Sequence, residues 1–243
     1  MPSSIGESCT LQILNNVASQ CLAHEHAWLD GAQGYVVCAF YTPDYLPHVL
    51  ALKHSLEILG INHFLKRYEP TASWEAATRI KPRFIEYCLA RFHPRHILYV
   101  DADAAVRQPP TLLDAITTDI AICVKPIRRQ LRVGVGTVYV RNTPAGRRFV
   151  EAWRKAEKDC DDFAMDSEMV HVAINRSPGL SLTVLPDAYR AVGDDTSVET
   201  VIQHFRISRH RFKWRKSRKK VRRIVVISAL AAIGACGFYF LLS

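Results

Sequence analysis

Short apolar runs along the chain alternate with longer stretches in which apolar residues return every three or four positions. YVVCAFY (35–41), rich in β-branched and aromatic residues and bounded by Gly34 and Pro43, predicts a buried strand. LPHVLALKHSLEILG places Leu46, Val49, Leu50, Leu56 and Leu59 at helical spacing and stops at Gly60, which suits the residue after a helix C-cap. A polar loop carrying Trp74 leads to KPRFIEYCLARF, where Pro82 fits a first helical turn and Ile85, Leu89 and Phe92 share a face. HILYV (96–100) predicts a second buried strand, and DIAICV (119–124), GTVYVRN (136–142), LSLTVL (180–185) and VIQHF (201–205) predict others. Thr143 and Pro144 read as N-cap and first residue of an amphipathic helix, AGRRFVEAWRKA, and DSEMVHVAI (166–174) as a short helix. Strands alternating with helices over 35–205 predict an α/β sandwich with a mostly parallel central sheet. Ligands of such sheets bind beyond the carboxyl ends of the strands. The sequence contains no internal repeat, no P-loop and no GxGxxG after the first strand.

The last stretch breaks this alternation. IVVISALAAIGACGFYFLLS (224–243) carries no charge and is apolar all round, and twenty residues of helix span roughly 30 Å, the hydrocarbon thickness of a bilayer. A buried C-terminal helix of the domain is the competing reading, but a dense basic block precedes the segment. The pattern predicts a tail-anchored transmembrane helix. By the positive-inside rule the basic block and the preceding domain then lie on the cytoplasmic face.

Charge agrees with this division. The chain has 243 residues and a formal net charge of +9. Residues 206–223 hold 11 of the 32 Lys and Arg and no acidic residue, which leaves 21 basic against 23 acidic residues over 1–205. The basic excess is thus a juxtamembrane collar able to attract anionic headgroups, and it does not mark a nucleic-acid-binding domain. Phe212 and Trp214 within it suit a membrane interface better than base stacking. The seven cysteines are scattered and odd in number, with no CxxC pair, which argues against a disulfide scaffold or a structural zinc site and for a reducing compartment. Residues 1–34 read as a polar or helical extension without a secretory h-region. His24-Glu25-His26 has metal-ligating side chains, but its place ahead of the first strand reads as a polar linker.

The sharpest chemical signal is Asp101-Ala102-Asp103, directly after HILYV. Two carboxylates flanking a small residue at a strand end can both reach a hard divalent cation such as Mg²⁺ or Mn²⁺, whose remaining positions take water and substrate phosphates. Alone, the pair reads equally well as two solvated loop aspartates; the apolar strand before it favours the metal.

Taken together, Trp74, Lys81-Pro82, ILYVDADA, GTVYVRNT, Trp153, Asp166-Ser-Glu, LPDAY and VIQHFRISR resemble, in order over about 35–213, the small nucleotide-diphospho-sugar transferases of the GT-A fold with a glycogenin-like layout. The resemblance implies a metal-dependent glycosyltransferase, a hexosyltransferase, that moves a sugar from a UDP- or GDP-sugar to a glycan, lipid-linked or other acceptor. It implies that Asp101 and Asp103 hold Mn²⁺ or Mg²⁺ on the donor diphosphate, with His204 completing the metal sphere. Asp103 and Asp166 would act at the reacting centre, Asp166 near sugar and acceptor. Tyr41 and Thr42 fall where the fold contacts base and ribose, Lys81 where a lysine points toward the nucleotide, and Gly136 and Thr137 beneath the donor sugar. Lys213 stands where a lysine meets the diphosphate, although Arg209 and Lys213 also begin the basic tail. Ser167 and Glu168 depart from the family's Asp-Gln pair, and His204 leans toward retention of configuration. Two readings compete: a sugar nucleotidyltransferase, whose Gly-rich phosphate loop AFYTPDY lacks, and a non-enzymatic protein that binds membrane or nucleic acid through the basic tail.

Overall fold

The computed structural model describes residues 22–127, 130–160, 164, 166–193 and 199–205, all within the first of the two units into which the chain divides, Met1–Phe205. Its main sheet contains β1 (Glu25–Trp28), β2 (Tyr35–Tyr41), β3 (His63–Arg67), β4 (His96–Val100), β6 (Ile120–Ile127), β7 (Gln130–Val140) and β8 (Leu182–Leu185), in the order β1-β3-β2-β4-β7-β6-β8. A smaller sheet pairs β5 (Ala104–Val106) with β10 (Ile202–His204) and β9 (Ala191–Val192). The helices are α1 (Leu46–Ile58), α2 (Trp74–Thr78), α3 (Ile80–Arg91), α4 (Pro144–Ala156) and α5 (Asp166–Asn175).

Five of the seven main strands point one way, yet the sheet is mixed. β3, β2 and β4 are parallel neighbours and β6 is parallel to β8, but β7 runs antiparallel to both β4 and β6, and β1 antiparallel to β3. The mostly parallel sheet expected from the alternation of elements is thereby corrected. Hydrophobic runs carry no direction, and β6 and β7 form a hairpin, with Ile127 opposite Gln130, that must turn the chain back. β1 also moves the start of the folded unit ahead of residue 35: the polar stretch that includes His26 is an edge strand registered on β3.

Both faces of the sheet are covered, so β2 is buried at all seven positions. Val36, Cys38 and Phe40 face a core completed by Phe84 and Leu89 of α3, Phe149 and Trp153 of α4, and Met169 of α5. Val37, Ala39 and Tyr41 face the other core, with Leu52 and Leu56 of α1 and Ile202 of β10. Local signals set the helix ends. The Thr143 hydroxyl accepts from the Gly146 N–H at 3.0 Å, and Pro144 follows it at the first helical position. At the end of α1, Gly60 takes φ 59°, its N–H donates to the Glu57 carbonyl, and the Ile61 N–H donates to the Leu56 carbonyl. This pair of bonds is a Schellman cap. Among the described residues no helix is long and apolar enough to cross a membrane. The basic stretch 206–223 and the segment 224–243 lie outside the described residues.

Candidate functional site

Asp101 follows the last residue of β4, and its N–H donates to the Gly136 carbonyl at 2.9 Å across to β7. There the β6–β7 register slips between Ile122, opposite Val138, and Cys123, opposite Gly134, so 135–137 bulge away from β6. The bulge places Gly136 against the β4 terminus. Asp103 ends the turn into β5, whose antiparallel pairing sets Ala104 opposite His204 of β10. The Phe205 N–H donates to the Asp103 carbonyl at 2.8 Å. Residues about a hundred positions apart in the chain thus meet, and one ligand atom from each of Asp101, Asp103 and His204 lies within 4.8 Å of the others.

The bonds of the surrounding chain select which atoms of this trio face inward. Asp101 Oδ1 accepts from the Tyr99 hydroxyl at 2.9 Å and pairs with Lys81 Nζ at 2.9 Å. Its Oδ2 lies over Gly136, where an added Cβ would stand 3.0 Å from Oδ2, 3.0 Å from His204 Cε1 and 3.2 Å from His204 Nδ1. The Thr137 hydroxyl bonds both the Tyr189 carbonyl at 3.0 Å and His204 Nε2 at 2.8 Å. A hydroxyl has one proton, and a carbonyl only accepts, so Thr137 donates to Tyr189 and His204 donates from Nε2. Nδ1 is then the ring nitrogen on the side of Asp101 Oδ2. Two carboxylates and one imidazole nitrogen around a position kept open by a glycine fit a divalent cation.

Beneath the trio lies an ion triad in which Lys81 and Asp166 are buried and Asp101 is partly exposed. Lys81 Nζ stands 2.7 Å from Asp166 Oδ2 as well as 2.9 Å from Asp101, and it reaches the Val135 carbonyl at 3.5 Å. Burial alone would lower the Lys81 pKa; the carboxylates of Asp101 and Asp166 outweigh it and hold the ammonium above its ordinary value. Burial would raise the Asp101 carboxyl, but Lys81 and then His204 keep it below the usual carboxylate range. Burial, reinforced by Asp101, drives the Tyr99 phenol well above its ordinary value. Asp166 opens α5 and accepts from the Ser167 N–H at 2.9 Å through Oδ1.

Asp101, Asp103, Gly136, Thr137, Lys81, Asp166 and His204 therefore form one continuous cluster. Lys81 is tied to the two aspartates. Tyr41 is buried at the end of β2, and Thr42 beside it donates to Asp44 Oδ1 at 2.5 Å. Lys213 lies outside the described residues. Sequence reasoning overlooked Tyr99, whose hydroxyl orients Asp101, although it sits in the strand that signalled the aspartates. It also overlooked Arg190, whose side chain lies 3.0 Å from where a Cβ on Gly134 would stand and whose Nη1 has no hydrogen-bond partner among the described residues.

No protein-family model matches the chain, and no curated protein matches its sequence. Solved structures do. A glycosyltransferase involved in the glycosylation of the major capsid of PBCV-1 aligns with a TM-score of 0.57 at 13% identity, over 70% of this chain and 92% of that one. The apo-form glycosyltransferase GlyE of Streptococcus pneumoniae TIGR4 aligns with a TM-score of 0.50 at 13% identity, over 70% of this chain and 54% of that one. The chain has the fold of these glycosyltransferases, a GT-A-like nucleotide-sugar transferase fold.

Proposed function

We propose that this protein is a metal-dependent glycosyltransferase that takes a hexose from a UDP- or GDP-sugar and passes it, with retention, to a glycan or lipid-linked acceptor. The observation that carries the reading is the convergence of Asp101, Asp103 and His204 beyond the carboxyl end of β4, with Asp101 Oδ2 and His204 over Gly136. Asp101, Asp103 and His204 would hold the divalent ion, which when bound would supply charge neutralisation for a departing nucleoside diphosphate. The chain's own residues do the positioning. Lys81 and Tyr99 fix Asp101, Thr137 fixes His204, and Lys81 ties Asp166 at the head of α5 to the same cluster. We also place the enzyme at a membrane through 224–243, with its domain on the cytoplasmic side, a reading supported by the uncharged twenty-residue run behind eleven basic residues.

The test is a panel of nucleotide sugars offered with Mn²⁺ to the detergent-solubilised full chain and scored for donor binding and hydrolysis. One donor is expected to turn over, and Asp101→Asn and Asp103→Asn to abolish that turnover. Failure of every donor to bind, or turnover that survives both substitutions, removes the reading.

A further inference from the structure

A second cluster of ligating side chains lies away from this site and does not depend on the glycosyltransferase reading. His26 on edge strand β1, His63 at the start of β3 and Glu57 in the last turn of α1 each bring one ligand atom within 4.8 Å of the others. The β1–β3 register sets Trp28 opposite His63 and His26 opposite Leu65, which puts both histidines on one face of the ribbon. Their ring centroids are 5.4 Å apart, and Trp28 stacks on His63 from the same face at 5.9 Å. The Schellman cap of α1 brings the third member. It reverses the chain between Glu57 and Ile61 so that α1 ends directly over the start of β3.

The tautomer of His63 is set by the backbone. Nδ1 stands 2.8 Å from the Ile61 carbonyl, which can only accept, so Nδ1 carries the proton and Nε2 carries the lone pair. His63 is completely buried, and its Nε2 has no hydrogen-bond partner among the described residues. Nε2 of His26 is likewise buried and unpartnered. Two unsatisfied imidazole nitrogens on adjacent strands are unusual in a folded interior. A backbone carbonyl holding the far nitrogen is how metal-ligating histidines are oriented. Burial, with Lys53 adding to it, lowers the His26 pKa, and burial lowers that of His63. Glu57 pairs with Lys53 Nζ at 2.6 Å through Oε1, which leaves Oε2 for a ligand, and its exposed position gives an ion a way in.

We propose that His26, His63 and Glu57 bind a second divalent transition-metal ion of the zinc class, with a water in the fourth position, that fastens edge strand β1 to α1 and β3. Two imidazoles and one carboxylate select for Zn²⁺ or Co²⁺ over the Mn²⁺ or Mg²⁺ suited to the carboxylate-rich site. Donors on a tetrahedral zinc stand about 3.4 Å apart at metal–ligand distances of about 2.1 Å, so side-chain rotations close the present spacing. The two sites are separate. His63 pairs with Val37 near the start of β2 and lies two strands away from β4, whereas Asp101 lies beyond the carboxyl end of β4.

The test uses the full chain, stripped with EDTA and dialysed against micromolar Zn²⁺, alongside Glu57→Gln, His26→Gln and Asp101→Asn, with circular dichroism to confirm folding. Glu57→Gln and His26→Gln are each expected to lose one equivalent of Zn²⁺ relative to the unsubstituted chain. Asp101→Asn is expected to retain that equivalent. Zn²⁺ is expected to raise the Tm of the unsubstituted chain more than that of Glu57→Gln, and Co²⁺ to give a tetrahedral absorption band that both the Glu57 and His26 variants lose. An unsubstituted chain that takes up no Zn²⁺, or Glu57 and His26 variants that match its stoichiometry and Tm shift, overturns the proposal.

Discussion

Replacing Lys81 by Met keeps most of the stem volume and removes the charge that holds two aspartates. Lys81 Nζ is 2.9 Å from Asp101 Oδ1 and 2.7 Å from Asp166 Oδ2, and the side chains of Lys81 and Asp166 are each only 7% exposed. Removing one partner of a buried pair costs about 3–5 kcal/mol, because the remaining charge is left desolvated. That is a large share of the roughly 5–15 kcal/mol typical of a domain, so urea unfolding in EDTA at pH 7 should show the midpoint fall clearly. The pH dependence carries its own sign. In the unsubstituted chain Asp101 titrates below its unfolded value, so its contribution is present above the unfolded pKa and is lost as pH falls through the folded one. Without Lys81 the burial remains and its main offset is gone, so the folded pKa of Asp101 rises from its depressed value. The contribution that the unsubstituted chain loses on acidification is correspondingly smaller in the variant. The stability gap between the two chains is expected to narrow as pH falls. A gap under about 1 kcal/mol at pH 7, or one that widens toward acid, would refute the triad as described.

Thr137→Val removes the hydroxyl that fixes the His204 tautomer and is expected to weaken Mn²⁺ binding about 10- to 100-fold by calorimetry, the usual effect of losing a partner that orients a metal ligand. Gly136→Ala places a methyl 3.0 Å from Asp101 Oδ2 and from His204 Cε1; Mn²⁺ affinity should fall at least about tenfold, since metal–ligand distances tolerate only about 0.2 Å, while circular dichroism stays that of the folded chain. Thr143→Ala removes the α4 cap far from the cluster and should lower stability by about 1 kcal/mol in urea, with Mn²⁺ affinity unchanged. Deleting 206–243 should abolish cosedimentation with anionic vesicles, to which each basic residue of the collar contributes about 1 kcal/mol.

Where bonding is local, the sequence was a good guide. The β2 run, the Thr143-Pro144 start of α4, the Gly60 stop of α1 and the aspartates after β4 are each written in a few consecutive residues, and the structure has these elements at those places. What was missed depends on partners far along the chain. HFLKR (63–67) has no alternation and only two aliphatic or aromatic residues, yet it is the strand that links β1 to β2. The stretch 130–135 extends β7 because it pairs with β6, and that hairpin makes the sheet mixed. The resemblance has Lys81 pointing toward the nucleotide, whereas its attachment to Asp101 and Asp166 requires α3, β4 and α5 to be packed first. His24-Glu25-His26 looked like a local triplet, whereas the fold separates it: His26 joins Glu57 and His63, and Glu25 pairs with Lys66 and Arg91.

One rule connects the two clusters and explains why neither could be assembled from spacing alone. A carboxylate or an imidazole has two candidate ligand atoms, and a motif does not say which one will face the ion. Here neighbouring bonds decide. Lys81 and Tyr99 occupy Asp101 Oδ1 and turn Oδ2 inward; Thr137 engages His204 Nε2 and turns Nδ1 to the side of Asp101 Oδ2; Ile61 occupies His63 Nδ1 and leaves Nε2. Each of these partners is a lysine, a tyrosine, a threonine or a backbone carbonyl, residues that no search for metal ligands would select. They are already in place without the ion, so binding need not choose the ligand atoms anew, which favours affinity. It follows that the partners, more than the ligands, separate a metal site from an accidental gathering of acids and histidines. Thr137→Val, which leaves every ligand in the sequence, is therefore a sharper test of the carboxylate site than removal of either aspartate.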